Sequence, residues 1–499
     1  MGSNLERRVR LVMVVALVAL VASTGFASGD LEDAGISPVP SGLGDAKYVF
    51  LFIGDGMAVP QINAAEAYLS AVSGVDAGVE KLSFTQYPVT GLTTTYSNNA
   101  FITDSAAAAT AIACGFKTNS GVIAMDPGTT TNFDTLAEIA KDAGLRVGIV
   151  SSVNLDHATP ACFYAHEPSR SNYYNIGVQA TRSDVDYFGG GMFRIDKTPD
   201  GGDSVHDLFD REGWTIVDDR SGLMRLDGSD APVYAYNHGF ASNALKYTID
   251  QQAEDISLAE FTRAGIDILD NPDGFLMMVE AGKIDWACHA NDAAAAIQDT
   301  IAFDDAIREA YAFYEEHPDE TLIVVTGDHE CGGLTLGFAG TGYSSAYNRI
   351  AGQSVSYEAF DSMVLAPYKE RVGDGGGSIL DLAEDIENYF GLTQDDLTET
   401  EMEQLQRAFA RSMGQEIERA AVEDEYLLYG GYEPLTVTLT HIVNQKAGLA
   451  WTSYSHTGIP VPTFAVGAGA GSFGGYYDNT DIFSKTLAAM GLVQTVSMR

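Results

Sequence analysis

Basic residues are scarce in this chain: 28 Lys and Arg stand against 69 Asp and Glu over 499 residues, a formal charge of −41. Such a surface repels nucleic acid and anionic lipid, so neither is an expected partner. Cysteine is scarcer still. Cys114, Cys162, Cys288 and Cys331 lie far apart with no C-x-x-C pair among them, which argues against a thiolate zinc cluster. Their number permits two disulfides without requiring any, and free, buried thiols are the preferred reading. Long apolar runs are also missing after residue 22. The one such run, "LVMVVALVALVA" (11–22), follows Arg7, Arg8 and Arg10 and leads into small residues ending near Ala27. It is short for a membrane span and reads as a signal peptide over residues 1–27. The mature protein is therefore expected to be exported, periplasmic or extracellular, with no membrane anchor.

Cleavage there removes three Arg and one Glu, taking the charge from −41 to −43. An excess of carboxylates of this size suits a saline habitat, where salt screens their mutual repulsion. An ordinary acidic exported protein has the same composition, and both readings stay open.

What is present is a recurrence of short, β-branched, apolar runs: "KYVFLFIG" (47–54), "RVGIVSS" (146–152), "GFLMMVE" (274–280), "TLIVVTG" (321–327) and "PTFAVGA" (462–468). Helical patterns such as "FDTLAEIAKDAG" (133–144) and residues 293–317 separate several of them. Buried strands alternating with helices predict an α/β fold, a mostly parallel sheet covered on both faces. The pattern breaks from about Tyr343 to Gly448, where "GDGGGS" and acidic helical sequence intervene. Residues 343–448 read as an insertion or cap within one domain running from 45 to 499.

In open α/β sheets, ligands gather at the carboxyl ends of the strands. Asp55 follows the first run, and "NLDHATPACFYAHEPSR" after the second offers His157, Thr159 and Arg170. "VEAGKIDWACHAND" offers Glu280, Asp285 and His289, "TGDHECGG" offers Asp328 and His329, and "SYSHTGIPVP" offers His456. Taken singly, each Asp reads as a turn or cap and each His as an ordinary core or surface residue. Gathered together, so many oxygen and imidazole donors are costly unless a cation neutralises them. His166, His206, His238, His317 and His441 lack such company and are left without a role. Ser105, in "FITDSAAAATAIACG" (101–115), stands at the start of an alanine-rich helix. Beside Asp104 it would serve as an N-terminal cap; alternatively the helix start, with its unpaired amides, holds the hydroxyl where an anion must arrive.

"DSAAAATA", "FIGDGM", "HATPACFYAH", "EAGKIDWACHAND", "TGDHECGG", "SHTGIPVP" and the late "GGYYDNTDIF" (474–483) together resemble the alkaline phosphatase family. The resemblance runs from about residue 47 to the end and is thin over 343–448. It implies hydrolysis of small phosphate monoesters through a phosphoserine at a site of two Zn2+ and one Mg2+, and a homodimer. It implies Asp285, His289 and His456 as ligands of the first zinc, and Asp328, His329 and Asp55 as ligands of the second. Asp55 would also touch magnesium, with Thr159 and Glu280 completing that set. Ser105 resembles the nucleophile, with capping as its minor role, and Arg170 resembles the phosphate clamp that Asp104 orients. His157 and Trp286 stand near the site where the family varies, some members having Asp at the first position and Lys or His at the second. A Lys there would reach phosphate through water, and Trp cannot.

Such chemistry suits the residues. A phosphate monoester dianion resists nucleophiles, and two metals roughly 4 Å apart stabilise both the entering and the leaving oxygen. The planar fork of Arg170 matches two phosphate oxygens. Two other readings compete: a phosphodiesterase, which within the superfamily more often has a Thr nucleophile and lacks the third metal set, and an exported phosphate- or metal-binding protein on an inactive scaffold, which would have lost the nucleophile or a ligand.

Overall fold

The computed structural model describes residues 44 and 46–492, apart from 76, 199–200, 238–241 and 416–421. The signal-peptide reading and His238 lie outside the described residues. Twelve strands occur among the described residues: β1 Tyr48–Gly54, β2 Val89–Thr94, β3 Arg146–Ser151, β4 Tyr187–Gly190, β5 Thr215–Val217, β6 Val233–Tyr236, β7 Phe275–Glu280, β8 Thr321–Gly327, β9 Glu330–Cys331, β10 His456–Thr457, β11 Val461–Gly467 and β12 Gly475–Asp478. Ten of them form one sheet in the order β12-β2-β11-β8-β1-β7-β3-β4-β6-β5, and β9 and β10 pair separately.

All five apolar runs of the sequence are strands of the large sheet. β1 lies at its centre, parallel to β7 on one side and β8 on the other. Every residue of β1 is buried, which is why the run shows no polar alternation. Its side chains alternate between two cores. Phe50 and Phe52 pack with Met277, Val279 and Phe303 on one face, while Val49, Leu51 and Ile53 pack with Ala106, Ala109 and Ile112 on the other. The second face thus holds the Ser105–Cys114 helix, whose ten residues are all buried. Alanine at four successive positions favours that helix and is small enough to let it lie close against the sheet.

The sheet is mixed rather than uniformly parallel, because β11 runs antiparallel to both β8 and β2. The chain enters β11 from the edge at which β8 ends, so His456 reaches that edge by preceding its strand, whereas Asp55, Glu280 and Asp328 reach it at the ends of theirs. β2 runs antiparallel to β11, with only alternate residues buried, and this dilutes the apolar signal that marks the central strands. From Tyr347 to Ala447 the described residues are helical or loop and add no strand to the sheet.

Candidate metal centre

Four strand ends deliver donors to one place. Asp55 follows β1 and is fully buried, with neither carboxylate oxygen hydrogen-bonded. The next residue, Gly56, has φ +71°, and a Cβ there would lie 2.8 Å from the Asp285 Cα. A side chain would wedge apart the two segments that carry Asp55 and Asp285, and the left-handed backbone favours glycine besides. Asp328 follows β8; its Oδ1 accepts from the Gly56 N–H at 3.1 Å and the His329 N–H at 2.8 Å, leaving Oδ2 without a hydrogen bond.

His329 Nε2 lies 3.4 Å from Asp55 Oδ1, 3.2 Å from Asp328 Oδ2 and 3.3 Å from Ser105 Oγ. A second group forms beside it. His289 Nε2 is 3.1 Å from His456 Nε2 and 3.4 Å from Asp285 Oδ2, and His456 Nε2 is 3.5 Å from Asp285 Oδ1. The orientation of both imidazoles is set by the backbone: His289 Nδ1 faces the Tyr454 carbonyl at 2.6 Å, and His456 Nδ1 faces that of Thr103 at 2.8 Å. With the ring protons on Nδ1, both Nε2 lone pairs point toward Asp285. This is the carbonyl-oriented imidazole arrangement common around metals.

A third group joins Asp55, His157 and Glu280, whose donor atoms lie within 4.8 Å of one another. Glu280 Oε2 accepts from the Ser151 hydroxyl, while Oε1 is buried without a partner. Thr159, on the short Ala158–Ala161 helix that packs on β3 and β7, is fully buried with its hydroxyl unpartnered. Burial pushes the Glu280 carboxyl up to about 7. Burial, and then the neighbouring carboxylates, likewise raise Asp55 and Asp328 well above the ordinary carboxylate range. Only Asp285 is held low, by His289, His456 and His329, against the opposing effect of its burial. Buried carboxylates whose charge is resisted by their own surroundings, with orphaned oxygens turned toward one another, fit divalent cations: the cation supplies the compensation that the protein lacks. Cys331 approaches the Asp285, His289 and His456 group, but burial pushes its thiol far up and its Sγ contacts the Asp285 carbonyl at 3.7 Å. All four cysteines are free and buried, as the sequence suggested.

Ser105 differs from one expectation. The N-cap of its helix is Asp104, whose Oδ1 accepts from the Ala107 N–H at 3.1 Å, and Ser105 is the first helical residue. A carboxylate one position earlier already takes the amide that a serine cap would bind, so the Ser105 hydroxyl has no capping role and turns to His329. Asp104 Oδ2 accepts from the Gly121 N–H at 2.9 Å and from Arg170 Nη1 at 3.0 Å. The other guanidinium arm, Nη2, donates to His157 Nε2 at 3.1 Å. Burial and the Arg170 cation hold the His157 imidazole down at about 3, so it stays neutral.

These groups face a cavity of about 450 Å³, and Ser105, Arg170, His157, Asp285, His289 and His456 are among its lining residues. Trp286, Tyr357 and Tyr432 complete the lining. Trp286 meets His157 edge-on, with ring centres 5.7 Å apart. Sequence reasoning missed the two tyrosines, which come from the helical segment where motif resemblance is thin. It also missed Lys283, a fully buried ammonium in the same helix as Asp285, 3.3 Å from Glu358. A single lysine two residues before Asp285 carries no distinctive spacing that could have revealed it. Of the histidines left without a role, His166 bonds Glu138 and the Ala124 carbonyl, and His441 bonds Asn291, while the Tyr48 and Phe313 rings pack on His317. None of these three lines the cavity.

Comparison with known proteins identifies the family. The family model for alkaline phosphatase matches residues 46–492. Alkaline phosphatase 3 of Bacillus subtilis is 31% identical over 492 residues, covering 95% of this chain and 96% of the relative. The cold-active alkaline phosphatase of a psychrophilic Shewanella superposes with a TM-score of 0.74 at 29% identity, over 89% of this chain and 99% of that one. The Thermus thermophilus alkaline phosphatase gives a TM-score of 0.75 at 26% identity, over 94% and 96% of the two chains. With the match spanning nearly its whole length, this chain belongs to the alkaline phosphatase family of metal-dependent phosphomonoesterases.

Proposed function

We propose that the protein hydrolyses phosphate monoesters through a phosphoserine at Ser105, in a site that holds two zinc ions and one magnesium ion. The observation that carries this reading is the placement of Ser105 Oγ at the start of a buried helix, against His329 and in one cavity with Arg170. Asp285, His289 and His456 would hold the first zinc, and Asp55, Asp328 and His329 the second. The oxygen donors of Asp55, Glu280 and Thr159 suit magnesium. When bound, the metals supply Lewis-acid stabilisation of the entering and leaving oxygens and acidify water.

The residues of the chain do the rest. The Arg170 guanidinium, fixed by Asp104 through one arm, receives two oxygens of the phosphoryl group and orients it in line with Ser105 Oγ. Ser105 Oγ gives up its proton and bonds to phosphorus as the ester P–O bond breaks, and the departing alkoxide takes up a proton in exchange, leaving a phosphoserine and a free alcohol. Water then attacks the phosphoserine from the side the alcohol vacated, freeing Ser105 and inorganic phosphate. His157 keeps the second arm of Arg170 in place as a neutral acceptor. Trp286 carries no charge where a Lys would place an ammonium near the phosphate, so the bound product has less electrostatic hold on it and is released more readily.

The direct test is a colorimetric monoester assay on purified, metal-loaded protein, with a matched methyl diester as comparison. The expected result is turnover of the monoester by about 10²-fold or more over the diester, since the site is built for a group with three free oxygens. Equal or faster diester turnover would favour a phosphodiesterase, and no turnover of either an inactive binding scaffold.

Residues 343–448 act in this reading as a cap inserted into a catalytic domain of 45–499, and two copies associate as a homodimer. The leader at 1–27 directs export to the periplasm or beyond. No helix among the described residues is long and apolar enough to cross a membrane. The charge of −41 supports a saline setting: melting temperatures should rise from low to molar NaCl as salt screens the repulsion among carboxylates. A flat or falling series would reject the saline setting and leave the enzyme assignment standing.

A further inference from the structure

Orthophosphate fills only part of the 450 Å³ cavity, and what bounds the remainder is aromatic. Tyr357 and Tyr432 stand with ring centres 5.6 Å apart and planes at 88°, and Trp286, edge-on to His157, completes the aromatic lining. All three rings are half-buried. Two of them, Tyr357 and Trp286, are held by the surrounding protein. The Tyr357 N–H donates to the buried Asp292 Oδ2 at 2.9 Å, and the Tyr357 hydroxyl accepts from that of Tyr247 at 3.2 Å. Lys283 ties the wall to the metal-ligand helix: its ammonium lies over the Tyr247 ring at 3.6 Å and the Trp286 ring at 4.8 Å while pairing with Glu358 at 3.3 Å. That cation is thereby committed, and among the described residues lining the cavity Arg170 is the one permanent cation. The wall therefore has ring faces and edges to offer an alcohol, not charge.

Resting on the phosphomonoesterase reading above, we propose that Tyr357, Tyr432 and Trp286 form a subsite for a planar ring carried by the alcohol of the ester, so that the enzyme prefers nucleoside monophosphates over sugar phosphates of the same alkoxide. Stacking of a base on an aromatic side chain gains little from hydrogen bonding and much from a rigid, preformed partner. The base need not be a particular one, because every base has a π face.

The experiment compares adenosine monophosphate with methyl riboside phosphate, both phosphorylated on the primary hydroxyl, on the zinc- and magnesium-loaded full-length enzyme. The reacting bonds are the same in the two esters, so a difference reports the base alone. The expected result is a kcat/KM at least about fivefold higher for the nucleotide, carried mainly by KM. Tyr432→Leu and Tyr357→Leu should bring the ratio of the two substrates close to one, and Tyr432→Phe, which keeps the ring, should preserve it. Equal kcat/KM for the two esters in the unmodified enzyme overturns the subsite while leaving the phosphomonoesterase reading intact. A ratio that stays unmoved in folded leucine variants overturns the subsite in the same way. Failure to hydrolyse either ester overturns the phosphomonoesterase reading and the subsite with it.

Discussion

Exhaustive chelation should reduce phosphatase activity to background, and zinc with magnesium should restore it. The expectation follows from the carboxylates: Asp55, Glu280, Asp285 and Asp328 are all buried, and each keeps at least one oxygen without a hydrogen bond. Stripped of cations, the site cannot hold four charged carboxylates, and burial raises three of them well above their ordinary range. Chelation should then lower the melting temperature as well as the activity, since an ion at a thousand times its Kd contributes about 4 kcal/mol to folding. His456→Ala should mimic the loss in part: it removes one of the two imidazoles that the Thr103 and Tyr454 carbonyls aim toward Asp285. Activity is measured by monoester turnover and metal content by elemental analysis of the same samples. Full activity in a preparation shown to be metal-free would contradict the assignment of every ligand.

Ser105→Ala should cut turnover by roughly three orders of magnitude or more, because the nucleophile belongs to a unit whose members do not contribute additively. What remains should be slow hydrolysis by water in a site whose Arg170 clamp is still set by Asp104. The substitution removes one hydroxyl at a helix position already capped by Asp104, so folding should be preserved and the melting temperature little changed. Arg170→Ala should act differently, weakening phosphate binding and leaving Asp104 to cap the helix alone. A Ser105→Ala enzyme with near-normal kcat would mean that water attacks the ester directly.

The central sheet was legible because its strands are buried on both faces and therefore read as continuous apolar runs; Tyr48–Gly54 and Thr321–Gly327 are examples in which every residue is buried. β2, β4, β5 and β6 were harder to see, being short or only half-buried, as the alternation in β2 and the partial exposure of β5 show. The donors were legible because open sheets collect chemistry at strand ends, and Asp55, Glu280 and Asp328 follow that rule. His456 obeys it only through the reversed direction of β11, which periodicity cannot reveal. Ser105 as a cap was a local inference that a local competitor defeated, since Asp104 one residue earlier takes the same amide. Tyr357 and Tyr432 were out of reach for a different reason. They are brought to the cavity by a helical segment whose packing depends on Asp292, Tyr247 and Lys283, contacts between residues far apart in the chain.

The measurement closest to the central claim is the fate of the phosphoryl group when the alcohol Tris competes with water. A phosphoserine at Ser105 must partition between the two acceptors, because its breakdown mirrors its formation. Phosphorylated Tris should accumulate alongside inorganic phosphate, increase with Tris concentration, and disappear in Ser105→Ala. With a monoester chiral at phosphorus, the two in-line steps should give net retention of configuration. Inversion of configuration, with no phosphorylated Tris even at high concentration, would contradict a covalent intermediate and remove Ser105 from the reaction.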